Sequence, residues 1–289
     1  MAIDQQLIHK AIGRLRKFAK NVPKQPSPED VHKVRTSARR LEAIFGALSL
    51  DSGTNEQRLI KLLRKVRRRA GKVRDLDVLT GHLNGVRSNG ESECEVQLLE
   101  FLGSERDRQA GKLHSLIGKR RAELRARLRK TDAKVDRLLG DGGQESAALA
   151  TARALLLSSQ LDNPKRFNKG NLHPYRLKVK ELRYVLQMAP SADSKFVEEL
   201  GKVKDTIGEW HDWEELVAIA NDVLGHRRNC KLIRQLKEIS DSKYQQAVAV
   251  TEQMRREYLS PSPRKKPSGR FELKPPVVGA AAKLSQNAA

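Results

Sequence analysis

Residues 172–186 read LHPYRLKVKELRYVL, and within them His173, Arg176, Lys180 and Arg183 recur at i, i+3, i+7 and i+10. At 100° per residue these positions stay within about 80° of one another, so on a helix they form one line roughly 15 Å long. Like charges that close repel, and their field disfavours protonation of the histidine. A helix selected only for stability would alternate signs. Regularly spaced Arg and Lys suit a ligand with regularly spaced negative charge. Arg offers forked donors to phosphate oxygens and Lys a mobile point charge. Histidine adds one ring N–H when neutral and two when protonated. The stretch VHKVRTSARRLEAIF at 31–45 has the same line in His32, Arg35 and Arg39, but Glu42 stands at its i+10 position. That ridge is expected to be shorter or internally paired, and Arg40 lies about 100° off it.

The two lines form part of a repeat. At an offset of 141, His32 matches His173, Arg35 matches Arg176, Arg39 matches Lys180 and Leu41 matches Leu182. At an offset of 137, GKVRDLDVL (71–79) echoes GEWHDWEEL (208–216), with Gly71 on Gly208, Asp75 on Asp212 and Leu79 on Leu216. Basic helices align by chance more easily than other sequences. The matched His and Asp, which are rarer, favour a duplicated helical unit.

The elements that must carry these residues are helices. Apolar residues recur with a helical period in almost every segment, and neither strand alternation nor a βαβ pattern is present. Helices are predicted at 3–19, 28–49, 55–83, 91–139 and 145–160, then at 173–188, 194–224 and 228–259. Ser27 before Pro28-Glu29-Asp30 is an N-cap with an acidic first turn. The first repeat spans about 1–140 and the second about 144–259. Residues 260–289, Pro-rich, Ala-rich and basic, are expected to be disordered. The predicted fold is all-α.

The 57 Lys+Arg against 35 Asp+Glu give a net charge of +22. The last thirty residues hold six basic residues and one acid, which leaves +17 on residues 1–259. A field of that sign calls for an anionic partner. Aromatics make up only 4% of the chain, which leaves few stacking platforms for unpaired bases. Binding to a duplex backbone needs only charge and stays open as the alternative. A polyanion without bases matches better. Two cysteines outside any metal or redox spacing, no apolar signal core and no run of about 20 apolar residues point to a cytoplasmic protein without a membrane partner.

Further basic residues enlarge the candidate surface. Arg64, Arg67, Arg68, Lys72 and Arg74 surround the apolar stripe of the 55–83 helix, as a solubilising shell or as a second wall of a groove. Lys202 on the 194–224 helix completes the set. Asp75, Asp77 and Asp212 read as anchors for facing basic residues or helix ends rather than as catalytic acids. Gly201 and Gly208 read as packing positions. A metal site built from the repeated His and Asp would work against the surrounding cations. No nucleophile triad, phosphate-binding glycine loop or paired-carboxylate motif is present. The chain is expected to bind without a cofactor and without catalysis, with a metal-dependent phosphatase or phosphotransferase as the less favoured reading.

VHKVRTSARRL, KVRDLDVL, LHPYRLKVKELRY and IGEWHDWEEL together resemble the motifs of the CHAD domain, the conserved histidine α-helical domain family. They occur in family order and cover roughly residues 5–255. The resemblance implies two four-helix bundles related by pseudo-twofold symmetry, with a basic surface and channel between them that binds inorganic polyphosphate. It also implies a stand-alone member, since family members are often fused to a CYTH-type triphosphatase domain and none is evident here. Polyphosphate granules are the cytoplasmic place where such binding would act. The family pattern favours Arg where this chain has Glu42.

Overall fold

The computed structural model describes residues 5–47, 53–86, 92–141, 154–161, 164–187, 193–225 and 230–259. Among them are eight helices and no strand: α1 (Gln5–Lys20), α2 (Pro28–Ala47), α3 (Thr54–Asn84), α4 (Ser92–Asp141), α5 (154–160), α6 (Lys169–Gln187), α7 (Ser194–Leu224) and α8 (Lys231–Tyr258). The expected helix over 145–160 is described only from residue 154, and the expected disordered tail lies outside the described residues.

Helix ends follow local chemistry. Ser27 Oγ accepts from Asp30 N at 3.1 Å and caps α2. Asp193 accepts from Lys195 N at 2.9 Å and Phe196 N at 3.3 Å and caps α7. Most boundaries fall within about three residues of expectation, and the largest difference is at α6. α6 starts at Lys169 rather than 173, so His173 sits in its second turn and not at its head. Asn168 and Asn171 supply the reason. Asn171 N donates to Asn168 Oδ1 at 3.0 Å while Asn168 N donates to Asn171 Oδ1 at 2.9 Å, a reciprocal cap that starts the helix ahead of Pro174.

The repeat appears directly in burial. On α2 the buried apolar residues Val31, Val34, Ala38, Leu41, Ile44 and Phe45 have buried counterparts 141 residues on: Leu172, Tyr175, Val179, Leu182, Val185 and Leu186. On α3, Leu63, Val66, Ala70 and Val73 correspond at 137 to Leu200, Val203, Ile207 and Trp210. α1 packs on α2 and α4, α2 on α3, and α3 on α4. In the second half α6 packs on α7 and α7 on α8.

The apolar interior is not simply one core per half. Helices α1–α4 enclose the first core and α5–α8 the second. A third core joins the C-terminal parts of α3 and α7 to the N-terminal parts of α4 and α8, through Leu76, Leu79, Leu83, Leu98, Trp213, Leu216, Leu232 and Leu236. Across the halves α2 meets α6 and α3 meets α7, so equivalent helices contact one another. That is how the two sides of a twofold interface pair. Each fully buried Leu, Ile or Phe contributes about 1.5–3 kcal/mol relative to exposure, which places the largest stabilising term in these three cores.

Candidate functional site

Each residue of the basic lines follows a core residue by one place: Val34–Arg35 and Ala38–Arg39 on α2, Tyr175–Arg176 and Val179–Lys180 on α6. One place is a 100° rotation. When α2 and α6 bury their apolar faces in separate cores, the two basic faces turn toward the seam between the halves. A cavity of about 320 Å³ lies there, lined by His32, Arg35 and Arg39 of α2, Arg74 and Asp75 of α3, His173, Arg176, Lys180 and Tyr184 of α6, and Lys204, Asp205, His211, Asp212 and Glu215 of α7.

Two glycines make room for the arginines. Arg176 crosses α7 at Gly208, where an added Cβ would collide with its guanidinium, and its Nε donates to the Lys204 carbonyl at 3.0 Å. Arg35 crosses α3 at the equivalent Gly71, where a Cβ would stand 3.5 Å from its Nε, and its Nη2 lies 3.6 Å from Asp75 Oδ1. Gly208, read as a packing position from sequence, is together with Gly71 a seat for a guanidinium group, and Asp75 holds one of the two arginines.

The walls and the floor differ in sign. Lys180 is 7% exposed and has no hydrogen-bond or ion-pair partner among the described residues. Burial, then Arg176, Arg39, Arg35 and Lys204, bring its pKa down to about 6. Burial and then Arg74, Arg35 and Lys204 lower that of His32. Burial and then His211, Arg176 and Lys180 lower that of His173, whose Nδ1 is buried without a hydrogen-bond partner among the described residues. The rings of His173 and His211 stand 4.4 Å apart. His211 is shifted upward by the Asp212 carboxylate, against burial. Asp75 and Glu215 are raised, chiefly by burial, with Asp212 adding to both. The cavity is thus cationic along α2 and α6 and acidic where α3 and α7 enter the shared core.

The fold gathers His32, Arg35, Arg39, Arg74, His173, Arg176 and Lys180 around this cavity and leaves the other candidates outside it. Arg183 donates from Nε to the Val197 carbonyl at 3.4 Å, over Gly201, and lines a separate groove with Lys202. Lys202 is paired with Glu199 at 2.7 Å and Glu198 at 3.4 Å. Arg67 is held by Glu42 at 2.9 Å, and Arg64 stands 4.0 Å from the same carboxylate. Arg40 is partly exposed on α2, and Arg64, Arg68 and Lys72 form an exposed stripe on α3. Asp77 pairs with Arg106 at 2.7 Å, away from the cavity.

Sequence reasoning did not single out Tyr184, Lys204, Asp205, His211 or Glu215 as site residues. The signal for His211 and Glu215 was present, because both lie in the echo GEWHDWEEL beside Asp212. Among the described residues no group of three or more His, Cys, Asp or Glu is placed to hold a metal ion, and no helix is long and apolar enough to cross a membrane.

A family model described as CHAD domain matches residues 6–221 of the chain. The fold is similar to the solved structure of PptA from Streptomyces chartreusis, with a TM-score of 0.61 and 15% identity, over 88% of this chain and 97% of that one. At that identity the likeness speaks for the fold alone. No curated protein matches.

Proposed function

The chain belongs to the CHAD domain family, and on that basis we propose that the cavity between its two basic ridges is a non-enzymatic binding site for inorganic polyphosphate, with association to polyphosphate granules as its use in the cell. The observation that carries this reading is the convergence of Arg35, Arg39, Arg176 and Lys180, from two helices 141 residues apart, on one cavity. Forked guanidinium donors on both sides match the oxygens of successive phosphates. Arg35 and Arg176 are oriented in advance, by Asp75 and by the α7 backbone, so little order is lost on binding.

The acidic floor of Asp75, Asp212 and Glu215 repels a polyanion and keeps it at the level of the ridges. From there the chain can extend along the exposed Arg64, Arg68 and Lys72 of α3. The absence of catalysis is part of the proposal. Among the described residues neither His32 nor His173 has a carboxylate hydrogen-bonded to it as an orienting group, and burial, then neighbouring cations, biases both toward the neutral form. Trp210, Trp213, Tyr175 and Phe45 are buried in the cores, and Tyr184 alone of the Phe, Tyr and Trp residues lines the cavity, which leaves little platform there for bases.

The test is a binding assay against long-chain polyphosphate, duplex DNA and RNA at equal phosphate concentration and at two salt concentrations. Polyphosphate should bind tightest, with affinity falling steeply as salt rises. The combined Arg35→Ala, Arg39→Ala and Arg176→Ala variant should lose at least about tenfold in affinity while keeping its helical circular dichroism. Unchanged affinity in that variant rejects the site, and displacement of polyphosphate by duplex DNA moves the assignment to nucleic acid. Phosphate release with Mg²⁺ or Mn²⁺ that disappears in His173→Ala would instead make it an enzyme.

A further inference from the structure

We propose that Lys180 is a site of covalent acylation by small anionic acyl donors of the acyl phosphate class, and that this modification switches off the anion site. Its consequence for binding rests on the polyphosphate reading; its chemistry does not.

The geometry sets up both halves of the reaction. Lys180 lines a cavity of about 320 Å³, roomy enough for a small acyl phosphate, and Leu177 of the same lining is 51% exposed, so the cavity reaches solvent. The groups that face Lys180 are cations from each helix packed around it: Arg176 on its own helix, Arg35 and Arg39 on α2, and Lys204 on α7, with the His173 imidazole of its own helix also within reach of its charge. The carboxylates of the cavity are directed elsewhere. Asp75 lies 3.6 Å from Arg35, Asp205 is paired with Lys204, and Asp212 lies 3.9 Å from His211. Tyr184 interacts with Arg39, Arg74 and His32 interact with each other, His173 contacts His211, and Glu215 faces Asp75, Asp212 and His211.

An amine in that position loses its proton easily, and at neutral pH it holds a free electron pair, consistent with its pKa of about 6. The surrounding guanidinium groups that suppress the ammonium form are also phosphate donors. An acyl phosphate whose phosphoryl oxygens dock on Arg176 and Arg39 brings its carbonyl carbon to the amine. Nζ attacks that carbon, the bond from the acyl carbon to the phosphate oxygen breaks, and the proton lost by nitrogen leaves on hydrogen phosphate. The product is a neutral amide, with no change in oxidation state and no co-reactant. The amide cannot regain the charge that a bound polyanion would call for.

The test uses the full chain and acetyl phosphate, with the acetylation rate of each lysine followed by peptide mass spectrometry. At pH 7.5 an ordinary lysine is neutral in only about one molecule in a thousand. Lys180 should react at least about tenfold faster than the median exposed lysine. Its rate should saturate with acetyl phosphate, fall with added inorganic phosphate, and stay flat between pH 7 and 9 while exposed lysines gain about tenfold per pH unit. A Lys180 rate at or below the exposed median, or one that rises with pH as theirs do, overturns the proposal. Protein acetylated at Lys180 should bind polyphosphate at least about tenfold more weakly. Polyphosphate binding by a chain whose Lys180 fails to react rejects the modification alone. Selective acetylation that excess polyphosphate does not slow rejects the polyphosphate reading and leaves the modification standing.

Discussion

Arg176 lies across α7 at Gly208, with its Nε 3.0 Å from the Lys204 carbonyl and no room for a side chain beneath it. The equivalent seat at Gly71 is looser, since a Cβ there would make an ordinary 3.5 Å contact with Arg35. The pair separates stability from binding. Replacing a mid-helix glycine by alanine gains up to about 1 kcal/mol of helix propensity. Gly71→Ala should raise the denaturation midpoint and leave polyphosphate affinity within about twofold. Gly208→Ala should leave stability about level, because the gain in helix propensity is offset by loss of the Arg176–Lys204 hydrogen bond, yet weaken affinity about tenfold by unseating that guanidinium. Chemical denaturation and a binding titration on the two variants check this.

Proton linkage gives a second expectation. Lys180 titrates at about 6 in the folded chain and near 10.4 when unfolded. Between these values the unfolded chain binds the extra proton, so the contribution of Lys180 to stability rises with pH across that window and is lowest below about 6. Lys180→Met should therefore stabilise the protein at pH 7 by on the order of 1–3 kcal/mol, with the gain shrinking toward pH 10. Polyanion binding should restore the charge. Calorimetry at pH 7.5 in buffers of different ionisation enthalpy should show uptake of about one proton that Lys180→Met abolishes.

Glu42 gives a third. It ties up Arg67 at 2.9 Å and lies 4.0 Å from Arg64. Glu42→Gln removes one negative charge and releases both guanidinium groups. Polyphosphate affinity should rise about threefold to tenfold at low salt, and the gain should fade as salt is added. Stability should fall by about 1 kcal/mol or less, the usual range for a pair near the surface.

How far the ligand extends is tested on α3. Combined Arg64→Ala, Arg68→Ala and Lys72→Ala should weaken binding of chains tens of phosphates long by about tenfold, and lower the slope of log affinity against log salt. Binding of tripolyphosphate, which the cavity alone accommodates, should change less than about twofold. Equal losses for both ligands would place the short chain on α3 as well.

Most of the fold was readable because a helix advertises itself locally. The periods on α2, α3, α6 and α7 located these elements to within about four residues, and the 141 and 137 offsets paired them. What sequence could not show was convergence. Leu76 on α3 and Trp213 on α7, equivalent at an offset of 137, lie far apart in sequence, yet they belong to one core. Lys204 and Asp205 came to the cavity only through the way α7 crosses α6.

One relationship was written in the sequence in a form that needed the structure to decipher. Arg183 sits on Gly201 in the second half. The positions equivalent to these two, at offsets 141 and 137, are Glu42 and Arg64, which stand 4.0 Å apart. An arginine seated over a glycine in one half is replaced in the other by a carboxylate facing an arginine. The departure at Glu42 is thus one side of a matched exchange rather than an isolated loss of charge.

The shared third core has a consequence for each repeat taken alone. Its buried residues come from both repeats, with Leu79 and Leu83 matching Leu216 and Ala220 at an offset of 137, and Cys94 and Leu98 matching Leu232 and Leu236 at an offset of 138. A polypeptide made of one repeat alone would leave that strip uncovered, and the surface that fits it is the same strip on a second copy. Either half expressed by itself should therefore pair with a second copy through this strip, which makes the third core the element that binds the two repeats into one folding unit.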